Sequence, residues 1–365
     1  MRPVRKNACG TTVPMPETGD FMSNDYLGLR SHERVCEAAA KAARHAVGAG
    51  GSRLMSGDHP VHGQLEDALC ELKGSPAALV VPSGYHANVS VLSSLTDKDD
   101  LIFSDSLNHA SIIDGCRLSR AKSVVFAHNE VSELSRLLAE HRARADCAFV
   151  VVEGVYSMEG DLAPVEDLVR ACREYDSVLT LDDAHGTGVC GKDGRGTLGP
   201  QVEDWENTVL LGTLSKAIGS QGGYICCSEQ TRDYLVNFAR PHIFSTGLAL
   251  PAAAGALEAV KMLLEGAAPF EKLRRNVEMF AKHLLDNGFN ADAASAIFPV
   301  ILEKENTALR VASALRTRGF YVGAVRPPAV PEGLSRLRIT VSAKHERQQL
   351  VSLAELVGRE VTAWR

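Results

Sequence analysis

A lysine among small residues is the first position in this sequence that could do chemistry. Lys216 follows an apolar run at 209–211 and lies within the segment GTLSKAIG at 212–219. Lysines usually lie on polar faces, whereas one surrounded by small side chains has room for a ligand at its amine and can bond to a carbonyl carbon. A surface lysine in a turn after a strand fits the same pattern, so this motif alone leaves both interpretations open.

An acid and a histidine follow a second apolar run. The run VLTL at 178–181 ends in Asp182, and His185 comes three residues later. A buried carboxylate is unfavourable unless it meets a cation or a strong donor, and a protonated pyridine nitrogen would be such a partner. Two other interpretations stay open here: a metal site, because Asp and His both bind zinc, and a helix N-cap formed by Asp183.

Two further strand ends carry polar or aromatic groups. Gly84 and Tyr85 follow the apolar run 77–81, at the start of a helical pattern whose free N–H groups could bind a phosphate. His109 follows the run 101–103 and precedes another helical stretch. Each motif by itself also fits an ordinary strand–helix turn. Because ligands of parallel α/β sheets bind at the carboxyl ends of the strands, we expect all four motifs at one edge.

Taken together, the four motifs match the requirements of one cofactor. Pyridoxal phosphate (PLP) needs a lysine for its aldehyde, an acid for its ring nitrogen, a helix start for its phosphate and a ring stacked on its face. The sequence therefore predicts a PLP site.

The elements that position these residues alternate along the chain. Short apolar runs separated by helical patterns indicate an α/β fold, with a mostly parallel sheet covered by helices on both faces. Beyond a change in composition at 265–270 (EGAAPF), the pattern becomes a small α+β domain. We therefore expect an N-terminal segment at 1–23, a large cofactor domain at 24–266 and a small C-terminal domain at 267–365. The large domain's strands are predicted at 77–81, 101–103, 124–126, 148–152, 178–181, 209–211 and 224–227.

Composition excludes several classes of protein. The 365 residues carry 39 basic and 45 acidic side chains, a formal charge of −6, which argues against nucleic-acid binding. No apolar stretch is long enough for a membrane span, and the charged N-terminus lacks the apolar region of a secretion signal. None of the nine cysteines forms a CxxC pair, which is typical of reduced thiols in the cytoplasm.

The motifs as a set resemble a known family over nearly the whole chain. The chain contains SNDYLGL at 23–29, GAGGSR at 48–53, HPVH at 59–62, EGVYSM at 153–158 and DDAHGTG at 182–188, together with the lysine segment. In these segments it resembles the α-oxoamine synthases, which are fold-type-I PLP-dependent transferases.

The resemblance implies a role for each matching residue. Lys216 would bond to the cofactor and move protons at the substrate α-carbon, Asp182 would pair with the pyridine nitrogen, and His109 would stack on the ring. His185 would help to hold the ring as a fourth catalytic residue. The implied cofactor-binding residues are Gly84, Tyr85, His109, Ser157, Asp182, His185, Thr213 and Lys216.

The substrate residues implied by the resemblance lie elsewhere in the chain. Arg338 would bind the amino-acid carboxylate, with Thr340 nearby and Asn24 as a further contact. Arg336 precedes Arg338 by two positions and so shares its strand face, which leaves it as the alternative.

The resemblance also implies a reaction: condensation of an amino acid with an acyl thioester, with loss of carbon dioxide. The segments 182–188, 326–331 and 335–340 resemble the members that serve biotin synthesis, which use L-alanine and a pimeloyl thioester of acyl carrier protein or coenzyme A. Use of glycine or serine with another acyl-CoA is the near alternative. A metal-dependent hydrolase built on Asp182, His185 and His109 is the alternative from another class. Members of the family place the active site at a homodimer interface.

Overall fold

The computed structural model describes residues 19–198 and 204–364, so most of the predicted segment 1–23 lies outside the described residues. These residues form the strands β1 Asp20–Phe21, β2 Ala77–Val81, β3 Leu101–Asp105, β4 Lys122–Phe126, β5 Ala148–Glu153, β6 Val178–Asp182, β7 Thr208–Thr213, β8 Gly223–Cys227, β9 Ile297–Glu303, β10 Tyr321–Val325 and β11 Ser335–Thr340. They also form the helices α1 Glu33–Ala43, α2 Pro60–Lys73, α3 Gly84–Leu95, α4 Ala110–Leu118, α5 Val131–His141, α6 Val165–Glu174, α7 Glu229–Phe238, α8 Arg240–Ile243, α9 Leu250–Leu264, α10 Phe270–Asp286, α11 Glu305–Thr317 and α12 Arg347–Trp364.

The chain divides into two compact units. The larger contains Leu27–Ser157 and Asp161–Phe270, and the smaller contains residues 19–26, Met158–Gly160 and 271–364. The divisions near residues 26 and 270 lie three to four residues from the domain limits predicted at 24 and 266.

The larger unit contains a seven-stranded sheet in the order β2-β8-β7-β6-β5-β3-β4. Only β8 runs antiparallel to its neighbours, which confirms the predicted mostly parallel α/β sheet. Every residue of β2, β5, β7 and β8 is buried. Strands this apolar need helices on both faces, which explains why they appear in the sequence as unbroken apolar runs rather than alternating patterns.

The carboxyl ends of β2, β3, β5, β6 and β7 share one edge of this sheet. Glu153 pairs with Asp182, and Asp182 pairs with Leu211, so the ends of three strands are level with one another. At the neighbouring strands, Gly223 is the register partner of both Val81 and Thr213. The segments that carry the predicted cofactor residues therefore all leave the sheet at this edge.

The smaller unit contains a four-stranded sheet in the order β1-β10-β11-β9. Its two-residue strand β1, which sequence patterns did not indicate, pairs in parallel with β10. Phe21 of β1 lies in an aromatic core, with ring centroids 6.4 Å from Phe280 and 3.7 Å from His345, on which it stacks. The unit thus joins the beginning of the described chain to its C-terminal third.

Within the described residues, no helix combines the length and the apolar character that crossing a membrane requires. The eight cysteines between Cys36 and Cys227 are free thiols.

Candidate active site

The carboxylate of Asp182, the last residue of β6, is buried and is held by two uncharged donors. The side-chain amide of Asn88 donates to Oδ2 at 2.6 Å, and the backbone N–H of Ala184 donates to Oδ1 at 3.0 Å. A buried carboxylate is best stabilised by a cation or a strong donor, so this position suits a cationic group of a ligand.

Asn88 also connects Asp182 to His109. Its Nδ2 donates at 3.0 Å to the hydroxyl of Ser111, which lies 2.7 Å from Nδ1 of His109. The backbone N–H of Ser111 donates to the same Nδ1, so this nitrogen is an acceptor and the imidazole caps α4. Sequence reasoning missed Asn88, although its position one helical turn after Gly84 on α3 could have indicated it.

His109 lies within electrostatic reach of both Asp182 and Lys216. Desolvation is the main cause that lowers the pKa of His109; the Asp182 carboxylate opposes this change, and the Lys216 ammonium adds to it. The imidazole is therefore neutral at neutral pH. Three of the predicted residues, from three different strand ends, are thus brought together by the fold.

The lysine segment leaves β7 through a tight turn. The Thr213 hydroxyl donates to the carbonyl of Gly222 at 3.0 Å and accepts from the backbone N–H of Ser215 at 3.2 Å. Gly219 adopts a positive φ of 73°, and its N–H donates to the carbonyl of Lys216 at 2.9 Å. A side chain at Gly219 would meet the backbone of Arg30. The small residues predicted to give Lys216 space therefore also let the chain turn here.

The start of α3 packs directly against this turn. A Cβ added to Gly84 would lie 3.1 Å from Cβ of Thr213, which leaves little room for a larger residue. Ser83 caps the helix by accepting the backbone N–H of His86 at 3.2 Å. The ring of Tyr85 is exposed, and its hydroxyl donates to Asp114, whose carboxylate raises the pKa of the phenol. Gly84 and Thr213 are therefore neighbours, whereas the polar partner of Tyr85 lies on α4.

His185 is buried in the turn after β6, and a buried ion pair stabilises that turn. Nζ of Lys73, at the end of α2, donates to Oδ2 of Asp183 at 2.8 Å. The side chain of Thr187 donates to the same oxygen at 2.8 Å, and Thr197 donates to Oδ1 through both its N–H and its hydroxyl. Asp183 is therefore a structural carboxylate beside Asp182, and both of its oxygens accept hydrogen bonds. Sequence reasoning did not assign Asp183 or its partner Lys73 to the site.

Ser157 is half-buried and follows β5, four residues after Glu153, the register partner of Asp182. It therefore leaves the same edge of the sheet as the other predicted cofactor residues.

The smaller unit places Arg338 and Asn24 in contact. Both terminal nitrogens of the Arg338 guanidinium lie 3.2 Å from the Asn24 side-chain oxygen. Thr340, on the same face of β11, is buried, and its hydroxyl oxygen is among the buried polar atoms without a hydrogen-bond partner. Arg336 is buried and bonds to the Glu159 carboxylate at 2.9 Å and to backbone carbonyls, including that of Met158 at 3.1 Å. The alternative arginine is therefore occupied by a structural ion pair.

The donor set of the larger unit fits PLP. Asp182 offers a buried negative charge for a pyridinium nitrogen, and the start of α3 offers backbone N–H groups suited to a phosphate. The metal alternative at Asp182, His185 and His109 gains no support: across 19–198 and 204–364, no group of three or more His, Cys, Asp or Glu side chains has an arrangement that could hold a metal ion. Physically, the oxygens of Asp182 already accept N–H donors, and Nδ1 of His109 is used by Ser111.

Comparison with known proteins gives consistent similarities. Residues 18–357 match the family described as aminotransferase class I and II. The chain is 45% identical over 333 residues to an 8-amino-7-oxononanoate synthase of Anaeromyxobacter dehalogenans, covering 91% of this chain and 83% of that protein.

Two solved structures share the architecture. A serine palmitoyltransferase from S. paucimobilis, with a bound PLP–myriocin aldimine, is similar with a TM-score of 0.89 and 31% identity, over 93% of this chain and 86% of that one. An 8-amino-7-oxononanoate synthase from Francisella tularensis has a TM-score of 0.81 and 27% identity, over 95% and 98% of the two chains. These similarities confirm the predicted fold-type-I transferase architecture.

Proposed function

The chain belongs to the aminotransferase class I and II family and, within it, to the α-oxoamine synthases of the 8-amino-7-oxononanoate synthase type, and from this premise we propose that it condenses L-alanine with a pimeloyl thioester. It is a PLP-dependent acyltransferase. The proposed products are 8-amino-7-oxononanoate, carbon dioxide and the free thiol carrier, which gives the enzyme a role in biotin synthesis. The arrangement of Asp182, His109 and Lys216 at one sheet edge supports the cofactor chemistry of this proposal, and the similarity to 8-amino-7-oxononanoate synthases supports its substrates.

Each group at this edge has a task that follows from its chemistry. When bound, PLP supplies an aldehyde for the substrate amine and a cationic ring that draws electrons from the α-carbon. The Asp182 carboxylate would pair with the protonated ring nitrogen, and Asn88 fixes the direction of that carboxylate. His109, held by Ser111, would present its neutral ring to the cofactor face.

Lys216 would hold the cofactor and would also move a proton. With substrate bound, its amine would be a positioned base for the proton on the substrate α-carbon. Thr213 and Ser157 would contribute hydroxyl groups to the cofactor, and Gly84 with Tyr85 would contribute the turn that receives its phosphate. His185 would support the ring from the turn after β6.

Arg338 of the smaller unit is proposed to bind the carboxylate of the amino acid. A guanidinium binds a carboxylate through two parallel hydrogen bonds, and the contact with the Asn24 oxygen holds the Arg338 head in place. The unpartnered hydroxyl of Thr340 lies on the same strand face and can contribute a further hydrogen bond. The choice of Arg338 over Arg336 is supported by the ion pair that Arg336 makes with Glu159.

A panel of amino acids and acyl thioesters tests the proposal, with carbon dioxide release as the readout. We expect release with L-alanine and pimeloyl-CoA or pimeloyl acyl carrier protein, and little with glycine or serine. Preference for glycine or serine with another acyl-CoA would support the near alternative. Absence of carbon dioxide release from every pair, with PLP bound, would contradict the proposal.

We also propose that the protein is a cytoplasmic homodimer. Large apolar side chains are exposed on the larger unit, including Met55, Phe238 and Phe244, of which Met55 is 85% exposed. Groups of exposed apolar side chains favour a protein interface. Free thiols at the described cysteines are consistent with a reducing compartment. Sedimentation equilibrium should give twice the chain mass, and a value equal to the chain mass would contradict the dimer.

A further inference from the structure

An imidazole lies between two carboxylates beside the proposed active site. Nδ1 of His128 is 3.1 Å from Oδ1 of Asp105, and Nε2 is 2.9 Å from Oδ2 of Asp161. Asp105 is the buried last residue of β3, and His128 follows the end of β4. Both ring nitrogens face acceptors, so the geometry requires a doubly protonated, positively charged ring.

The two carboxylates belong to two different segments at the active edge. Asp105 accepts the backbone N–H of Leu107 at 2.8 Å and that of Asn129 at 2.9 Å, so it organises the segment that leads to His109. The carbonyl of Asp161 accepts the backbone N–H of Tyr156 at 3.1 Å, which fixes the segment that includes Ser157. His128 is thus the common partner of both segments.

The charge on His128 persists over the physiological range. Desolvation disfavours the imidazolium, but the hydrogen bonds and charges of Asp105 and Asp161 outweigh it and raise the pKa of His128 to about 10. Two uncharged groups also face the ring: Tyr156 packs edge-on with centroids 4.3 Å apart, and Nδ2 of Asn129 lies 3.4 Å from Nε2 while donating to Asp161 at 3.2 Å. Without the imidazolium, Asp105 and Asp161 would lose the cation that they share and would keep uncharged donors such as those of Leu107 and Asn129.

We propose that His128 is a positioning residue for the reaction, whose positive charge clamps the segment ending in His109 to the segment carrying Ser157. This inference rests on the proposed function for the roles of His109 and Ser157. It requires no contact between His128 and substrate or cofactor. A merely stabilising role would lower stability without changing how the cofactor is held, and this difference can be measured.

The test compares His128→Gln with a matched control at the opposite edge of the same sheet. Arg142→Gln removes a side chain that donates to the carbonyls of Tyr175 and Asp176, at the amino end of β6, and to that of Ala145. Both variants lose hydrogen bonds that join two segments, so both should lower the melting temperature. Only His128→Gln should change the cofactor's induced circular dichroism and lower kcat, by about 10- to 100-fold, because small misplacements of catalytic groups have such effects.

Two measurements on the protein itself separate failure of the clamp from failure of the proposed function. Amide hydrogen exchange at Leu107 and Asn129, which donate to Asp105, should accelerate in His128→Gln and stay unchanged in Arg142→Gln. The His128 ring should titrate well above pH 8 by NMR. Unchanged exchange and an unchanged cofactor signal in His128→Gln would overturn the inference. Accelerated exchange in a protein that never binds PLP would support the clamp and reject the function instead.

Discussion

Replacing Lys73 by Met should destabilise the larger unit strongly, because it leaves a buried charge behind. Lys73 is 3% exposed, and its partner Asp183 is fully buried. Without the lysine, the Asp183 carboxylate keeps the donors Thr187 and Thr197 but loses its countercharge. Removal of one partner from a buried ion pair costs about 3–5 kcal/mol.

Thermal unfolding followed by circular dichroism measures this loss. For a unit of this size, each kcal/mol lowers the melting temperature by about 2–4 °C, so we expect a decrease of about 6–20 °C. Lys98→Met is the matched control, since the Lys98–Asp99 pair is exposed and such pairs contribute only about 0–1 kcal/mol. The double variant Lys73→Met/Asp183→Asn should lose less than the sum of its parts, because the residual group is then neutral.

A small loss would refute this reasoning. If Lys73→Met melted within a few degrees of the unmodified protein, like Lys98→Met, Asp183 would not depend on its ion pair. Strict additivity of Lys73→Met and Asp183→Asn would likewise contradict a direct interaction.

Two further predictions concern the smaller unit. Arg338→Ala should raise the KM for the amino acid by about 10- to 100-fold with cofactor retained, because a charged hydrogen bond contributes about 1.5–3 kcal/mol. Arg336→Ala should mainly lower the melting temperature, because it leaves Glu159 unpaired. Equal effects of the two variants on KM would contradict the assignment. Desolvation lowers the pKa of His345 to about 4, below its ordinary value of 6.5 in the unfolded chain. The stability that its neutral ring provides is therefore complete above pH 6.5 and is lost as pH falls towards 4. Unfolding measured between pH 7 and 4 should show this loss in the unmodified protein and a smaller one in His345→Gln.

Much of the sheet could be predicted from sequence because its strands are buried on both faces. An unbroken apolar run of five residues is too short for a typical helix and fits a buried strand, and β2 was predicted with its observed limits at 77–81. The strand ends were harder, since Asp105 and Asp182 are polar and yet continue β3 and β6. Asp182 belongs to the proposed site, and Asp105 bonds to the segment that leads to His109.

Long-range pairings could not be predicted. Strand β1 has two residues and no periodic pattern, and its partner Tyr321 is some 300 positions away. The pairs Lys73–Asp183 and His128–Asp161 likewise join separate segments, and nothing in either local pattern points to the other partner. The choice between Arg336 and Arg338 was open because two residues on one strand face look alike until a partner such as Glu159 is known.

The central claim, that Lys216 bonds to PLP, is tested most directly by borohydride reduction of the purified protein followed by peptide mass spectrometry. Reduction should bleach the yellow absorbance and leave a pyridoxyl-phosphate mass on the peptide containing Lys216, with no label on Lys216→Ala. A colourless protein that does not respond to added PLP, or a label on another lysine, would contradict the account.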